Sequence, residues 1–230
     1  MSWRERSKKD LGLPVPADRT KNLGHLPEQG KSSRFPRTSR RRERMDAVLK
    51  RRQPTLSVIL EDVHDPHNVS AVLRSCDAVG VLDVHLIYVH DEPPRTALNR
   101  TTSGSAAKWV RTHFYESIEA CFETLRSGGV SIFAAARHED TVDLYSLDLV
   151  APMALVFGNE QRGVSEMAIA LADGTVGIPM QGMVESLNVS VACAVSLYEA
   201  MRQRREAGKY DIPQLDSNER KALAAEWIRK

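Results

Sequence analysis

The side chains best suited to chemistry are five polar residues in three loop-like stretches of the sequence. Asn68 and Arg74 belong to the first stretch, Glu160 to the second, and Ser186 and Asn188 to the third. Arginine supplies a fixed positive charge and several hydrogen-bond donors, and glutamate accepts hydrogen bonds or binds a cation. Serine and asparagine can both donate and accept hydrogen bonds. Such a set can bind a polar ligand, although Ser186 and Asn188 also suit the ordinary role of helix caps.

Other kinds of site receive less support. His64 and His67 flank a turn, but no third and fourth ligand is evident, so no metal site is predicted. The turn between Gly158 and Gly163 matches neither the phosphate-binding nor the dinucleotide-binding fingerprint, although its glycines would let backbone amides approach a ligand. Arg74 lies nearly opposite the apolar face of its predicted helix and therefore points to solvent, a ligand or another subunit.

The elements that must position these residues are predicted from hydrophobic pattern. Four apolar runs, at 56–61, 84–89, 131–136 and 153–158, alternate with helix-like stretches, and Asn68 is the predicted N-cap of the helix after the first run. Runs that are apolar throughout indicate strands buried on both faces. The predicted fold is α/β, a mostly parallel sheet covered by helices, and ligands in such folds bind at the carboxyl ends of the strands.

Composition is that of an ordinary globular protein. The chain has 230 residues, which is long enough for one domain of the size common in enzymes. Of its residues 42% are hydrophobic and 27% are charged. No apolar run is long enough to cross a membrane, and no apolar stretch follows the basic N-terminus as in a secretory signal, so we expect a cytoplasmic protein without a membrane partner. The three cysteines show no metal-binding or disulfide spacing.

The charge is concentrated at the ends of the chain. Residues 1–52 hold 16 basic and 6 acidic side chains, which leaves 16 basic and 24 acidic ones for the rest. We predict a flexible basic arm over 1–38, a catalytic domain over 39–207 that starts with a basic helix, and a C-terminal extension over 208–230 with a short helix.

Basic ends suit a polyanion such as RNA, because each arginine that neutralises a phosphate releases bound counterions. The alternative is a solvated tail without a binding role. The arginines predicted to contact RNA are those of the first helix and of the segment 202–205, namely Arg40, Arg41, Arg42, Arg44, Arg51, Arg52, Arg202, Arg204 and Arg205.

The three polar stretches together carry a family resemblance. The segments "HNVSAVLR", "FGNEQRGVS" and "IPMQGMVESLNVSVACAVSLYEA" resemble, in this order, the three signature motifs of the SpoU/TrmH branch of the SPOUT methyltransferases. The resemblance covers residues 39 to about 210 and is strongest to the members that methylate guanosine 18 of tRNA. The first 38 residues have no counterpart in the family pattern.

The resemblance implies a fold and a cofactor. It implies that the C-terminal part of the sheet forms a deep trefoil knot and that the protein is a homodimer. It also implies that the knot loops bind S-adenosylmethionine without a metal. The matching positions, where backbone groups bind the cofactor, are Ala135, Gly158, Ile178 and Leu187.

The resemblance further implies methylation of a ribose 2'-hydroxyl, most specifically at guanosine 18 in the D-loop of tRNA. Arg74 would stabilise the alkoxide that forms, since an arginine does not readily lose its proton. Asn68 and Glu160 would hold Arg74 and the knot loops in place, and Ser186 and Asn188 would line the site. Two alternatives stay open, a 2'-O-methyltransferase of ribosomal RNA and a non-catalytic RNA-binding module.

Overall fold

A computed structural model describes residues 39–89 and 106–230, so the predicted arm over 1–38 lies outside the described residues. The helices are α1 Ser39–Leu49, α2 Pro66–Val79, α3 Ile118–Ser127, α4 Glu166–Leu171, α5 Val189–Glu206 and α6 Ser217–Arg229. The strands are β1 Leu56–Glu61, β2 Asp83–Ile87, β3 Arg111–Tyr115, β4 Ser131–Ala135, β5 Val142–Asp143, β6 Met153–Phe157 and β7 Gly174–Gly177. No described helix is long and apolar enough to cross a membrane.

All seven strands form one parallel sheet in the order β3-β2-β1-β6-β4-β7-β5. The four predicted strands are confirmed as β1, β2, β4 and β6. Every residue of β1 and β6 is buried, because helices cover both faces of the sheet at its centre. The parallel arrangement places the carboxyl ends of these strands, and the loops that follow them, at one edge.

Helices cover the sheet in two layers. On one face α2 and α5 pack together, and their buried side chains, such as Leu73 and Leu197, share a core with β1 and β6. On the other face α3 and α4 bury residues such as Phe122 and Ala168 against the sheet. Burial of each large apolar side chain stabilises the fold by about 1.5–3 kcal/mol relative to exposure. The two helix layers therefore form a stable support for the loops at the ends of the strands.

The first and last helices form a packed pair. Met45 and Leu49 of α1 share a small core with Leu223 and Trp227 of α6, at the edge of the fold where the strands begin. The predicted basic helix is therefore anchored by its apolar side. Its arginines Arg40, Arg42 and Arg44 remain exposed, while Arg41 is half-buried.

Arg52 is part of the interior and does not contact RNA as predicted. Its side chain is fully buried, and its guanidinium donates to Asp77 Oδ1 at 2.5 Å, to the carbonyl of Val81 at 3.0 Å and to the carbonyl of Trp109 at 3.1 Å. A phosphate cannot reach this group in the folded protein. Arg52 instead joins α2 to the segment that enters β3.

Arg204 is the second correction to the predicted RNA-binding set. It is fully buried, and it donates to the carbonyls of Leu149 and Ala151 and to the hydroxyl of Thr55 at 2.8 to 2.9 Å. Burial lowers the pKa of Arg204 to about 10, so the group still carries its charge at neutral pH. The segment "RQRR" does not reveal that Arg204 is buried while Arg202 and Arg205 are exposed, because the three residues are of the same type.

A histidine cluster lies between β2 and β3. The rings of His85 and His113 stack with centroids 4.9 Å apart, and His113 Nε2 lies 2.7 Å from Asp83 Oδ1. His85 Nδ1 contacts the hydroxyl of Tyr115 at 3.2 Å. Burial and the neighbouring His113 lower the pKa of His85 from 6.5 to about 4, despite an opposing effect of Asp83.

The depressed pKa of His85 predicts a loss of stability in mild acid. The folded protein keeps His85 neutral down to about pH 4, whereas the unfolded chain binds this proton near pH 6.5. Below pH 6.5 the unfolded state therefore binds more protons, and stability falls by about 3 kcal/mol in total as the pH drops to 4. Urea unfolding across this range should show the loss in the native protein and a much smaller one in His85→Phe. An equal loss in both would contradict the assignment.

Candidate active site

The first motif stretch enters α2 through a different cap from the one predicted. Asp65 is the N-cap, its Oδ1 accepts from the amide of His67 at 2.8 Å, and Pro66 occupies the first turn. The prediction that Asn68 caps α2 is therefore wrong. Because Asp65 performs that role, the buried Asn68 side chain is free to bond to the other two motif stretches.

Asn68 links the three stretches. Its Nδ2 donates to Glu160 Oε1 at 2.8 Å, and its Oδ1 accepts from Asn188 Nδ2 at 3.1 Å. Asn188 is the predicted cap of α5, and its Oδ1 accepts from the amide of Ser190 at 2.9 Å. One amide side chain thus holds both loops against the start of α2, and each polar group of Asn68 is satisfied by a residue of a different motif.

Asn159 was missed in the sequence and organises the second loop. Its Nδ2 donates to the carbonyl of Asp62 at 2.8 Å, and its Oδ1 accepts from the amides of Gln161 and Arg162 at 2.9 and 3.1 Å. An asparagine that bonds to backbone two residues on is a known turn-former, so the "GN" pair after the β6 run was the available signal. Asp62 itself has a φ of 50°, a strained value for a residue with a side chain.

Gly158 allows two parts of the same loop to touch. A Cβ built at this position would lie 2.1 Å from the carbonyl carbon and oxygen of Gly163. No side chain fits in that space, and the obstacle is backbone that cannot rotate away. Glycine is therefore required at 158 for the loop to fold onto itself, and the approach of its backbone to a ligand stays a prediction.

Replacing Gly158 with alanine is expected to open this loop and weaken cofactor binding at least tenfold, because the added methyl group must displace residue 163. Gly182 is a matched control, since a Cβ there has no neighbour within 4 Å, and Gly182→Ala should bind normally. Calorimetric titration of both variants with S-adenosylmethionine measures the effect. Equal affinities would show that the close contact does not shape the site.

Two adjoining clefts lie between the second and third loops. Their volumes are about 430 and 550 Å³, within the range that holds small-molecule ligands. Ala135, Leu187 and Ser186 line both clefts, Gly158 lines only the second and Ile178 only the first. The four predicted cofactor residues are therefore brought together around one continuous region.

Arg74 lies outside the hydrogen-bonded network. It is exposed on α2, about 9 Å of helix rise beyond Asn68, and the structure gives it no hydrogen bond or ion pair with any described residue. Asn68 and Glu160 bond to each other between the loops, but neither bonds to Arg74 of the same chain. The prediction that they also hold this arginine is therefore not met within a single chain. A guanidinium on an exposed face, without a partner among the described residues, is available to a ligand.

Polar and charged side chains of the described loops lie in pairs. His64 Nδ1 lies 3.5 Å from Glu160 Oε2, and the exposed Arg137 lies 3.9 Å from Glu185. Within residues 39–89 and 106–230, no group of three histidine, cysteine or acidic residues is arranged to hold a metal ion.

The comparison with known proteins identifies the family. Residues 55–198, which contain the first two motif stretches and all but the last two residues of the third, match the SpoU rRNA Methylase family. The chain belongs to this family. The tRNA (guanosine(18)-2'-O)-methyltransferase of Thermus thermophilus is 49% identical to this chain over 194 residues, which are 84% of this chain and 98% of that enzyme.

Solved SpoU structures share the fold. The TrmH/SpoU tRNA modifying enzyme of A. aeolicus superposes with a TM-score of 0.77 at 35% identity and covers 83% of this chain and 95% of its own. The SpoU methyltransferase AviRb of Streptomyces viridochromogenes was solved in complex with the cofactor AdoMet. It superposes with a TM-score of 0.59 at 28% identity, covering 67% of this chain and 62% of its own. The α/β parallel sheet predicted from the apolar runs is therefore that of the SpoU methylases.

Proposed function

We propose that this protein transfers a methyl group from S-adenosylmethionine to the ribose 2'-hydroxyl of guanosine 18 in tRNA. The observation that carries the proposal is the link through Asn68, which joins the three motif loops beside the clefts. This link occurs in a chain that is 49% identical, over 84% of its length, to an enzyme named for that activity. A tRNA substrate also implies work in the cytoplasm, which stays a prediction.

The clefts fit the proposed cofactor. Ile178 and Leu187 offer apolar surface for an adenine ring. Side chains of both charges border the first cleft, namely Glu166, Glu185, Arg137 and Arg162, which suits a ligand that itself carries positive and negative groups. When bound, S-adenosylmethionine supplies an electrophilic methyl group on a sulfonium. The backbone at Ala135 and Gly158 would hold it, consistent with the tight loop that Gly158 permits.

Arg74 is the proposed catalytic residue. An arginine side chain would act by placing positive charge and hydrogen-bond donors beside the 2'-oxygen as negative charge develops there. Its exposed position is what a residue that contacts RNA requires. Ser186 and Asn188 border the clefts and would orient the ribose.

We also propose that the chain after β7 forms the trefoil knot. β7 lies towards one edge of the sheet, yet the segment that follows it returns to the centre, where α5 packs on α2 and Asn188 meets Asn68. A return path of this kind passes the loop after β6. No metal takes part in this proposal.

A homodimer is the proposed assembly. The loop before α5 and the exposed side of α5 present large apolar side chains, Met183, Val184, Val191 and Tyr198, with exposed fractions from 46% to 99%. Exposed large apolar side chains close together in the sequence suit a protein interface. Light scattering on the purified protein should give twice the chain mass of 25.7 kDa, and a monomer would contradict the proposal.

The remaining predicted arginines are proposed to contact tRNA phosphates. Arg51 and Arg205 are exposed, as are three arginines of α1. Arg202 is different, because it bonds to both Glu199 and Glu206 at 2.7 to 2.9 Å, which reduces its net attraction for a phosphate. We also propose that the arm over 1–38 contacts tRNA, that the catalytic domain spans 39–207, and that the C-terminal extension spans 208–230.

The experiment that tests the function compares RNA classes. Transfer of labelled methyl groups to tRNA transcripts, to ribosomal RNA and to 2'-O-methylated tRNA should give product only with the first. Product with ribosomal RNA alone would support the alternative that the family description suggests. RNA binding without any transfer would instead indicate a non-catalytic module.

A further inference from the structure

A second groove lies at the opposite end of α2 from the motif loops. It has a volume of about 480 Å³ and lies between α1, the last turn of α2 and the segment that enters β3. Its wall combines the aromatic, basic and acidic side chains of Trp109, Trp227, Arg41, Arg44 and Asp77 with the apolar ones of Met45, Val48 and Ala78. Aromatic and charged groups meet here outside the site already described.

The aromatic part of the groove offers a stacking surface. The rings of Trp109 and Trp227 meet edge to face with centroids 5.1 Å apart, and Trp227 is almost fully buried while Trp109 is partly exposed. The guanidinium of Arg41 lies 5.9 Å from the centroid of the Trp109 ring, where a planar group already covers the indole. Proteins bind unpaired RNA bases by stacking them on aromatic rings and on arginine planes.

The polar part of the groove favours one kind of base. Asp77 Oδ1 accepts from Arg52, but the Asp77 side chain is 31% exposed, so its carboxylate retains capacity to accept further hydrogen bonds. Guanine presents two adjacent N–H donors on its pairing edge, whereas the other bases place a carbonyl or ring acceptor beside a donor. A carboxylate therefore favours guanine, and the exposed Arg44 supplies charge for a phosphate.

The groove is close to the proposed catalytic arginine. Asp77 and Ala78 follow Arg74 by three and four positions, so all three lie on neighbouring parts of one helix surface. The rise from Arg74 to Ala78 is about 6 Å. An RNA strand whose ribose lies at Arg74 would therefore pass the groove with a nearby nucleotide.

We propose that this groove binds a guanine nucleotide of the tRNA, near the nucleotide that is methylated. The base takes the place of the Arg41 guanidinium against Trp109, its N–H edge donates to Asp77, and its phosphate contacts Arg44 or the displaced Arg41. The inference rests on the proposed function for its partner, but the nucleotide contact can be measured without methyl transfer.

Tryptophan fluorescence tests the contact directly, since two of the three tryptophans line the groove. Titration of the full chain with guanosine monophosphate should quench the emission saturably. Adenosine, cytidine and uridine monophosphates should require higher concentrations for the same effect. The absence of quenching, or equal quenching by all four, would overturn the proposal.

Blocking the groove tests its role in tRNA binding. Ala78 is exposed, so Ala78→Phe should fold normally and fill the entrance, raising the Kd for tRNA and abolishing the quenching. The expected rise is about 5- to 150-fold, the range for loss of one stacked base. Ala120→Phe is the matched control, an exposed alanine on α3 across the sheet, and should change neither measurement.

The outcomes separate the two proposals. If the native protein methylates tRNA and Ala78→Phe binds tRNA with unchanged affinity, the groove proposal is refuted and the proposed function is supported. If the native protein does not methylate tRNA but shows guanine-selective quenching that is lost in Ala78→Phe, the groove proposal is supported and the proposed function is refuted.

Discussion

Replacing Arg74 with alanine is expected to slow methyl transfer to tRNA by about 100-fold or more, the usual effect of losing one preorganised charge-stabilising donor. Cofactor affinity should remain within about twofold, because Arg74 does not line either cleft and makes no bond to the residues that do. Single-turnover rates and calorimetry on the same preparation measure the two effects separately.

Arg74→Lys is the control for charge alone. A lysine keeps the positive charge but loses the planar set of donors, so an intermediate rate is expected. Stability should not change in either variant, since the side chain is exposed. Near-native turnover of Arg74→Ala would contradict the catalytic role, whereas a parallel loss of cofactor affinity would indicate that α2 itself had moved.

The adjacent residues Arg204 and Arg205 are expected to behave in opposite ways. Arg204→Ala removes a buried guanidinium and leaves at least the carbonyls of Leu149 and Ala151 without their donor, so the free energy of unfolding should fall by about 3 kcal/mol or more. Arg205→Ala changes an exposed side chain and should cost less than about 0.5 kcal/mol. Urea unfolding of both variants provides the measurement.

Binding of tRNA should show the reverse order. Arg205→Ala is expected to lower tRNA affinity and to reduce the salt dependence by about one phosphate contact. Folded Arg204→Ala, assayed below its unfolding transition, should bind tRNA almost as the native protein does. Equal stability losses in the two variants would show that the burial of Arg204 does not determine its role.

The central strands could be predicted because burial on both faces leaves a plain signal. β1 and β6 are continuous apolar runs, and their lengths match the prediction closely. The shorter strands lack that signal. β3 reads "RTHFY" and buries none of its residues fully, and β5 has only two residues, Val142 and Asp143. Their strand conformation comes from pairing with neighbours that are distant in sequence, which no local pattern records.

The candidate site shows the same division between local and long-range information. The residue types at Asn68, Glu160 and Asn188 indicated a polar site, but their hydrogen bonds join residues 92 and 120 positions apart and depend on the fold. The cap was misassigned because Asp65 and Asn68 are both good cap residues, and only the backbone decides between them. Buried arginines were misassigned because a basic residue is normally exposed.

The most direct test of the central claim is to locate the methyl group. A tRNA transcript should be incubated with the protein and S-adenosylmethionine, digested and examined by mass spectrometry, beside a transcript with 2'-deoxyguanosine at position 18. We predict one added methyl group on the ribose of guanosine 18 in the first transcript and none in the second. A methyl group on a base or at another position, or transfer to the 2'-deoxy transcript, would contradict the assignment.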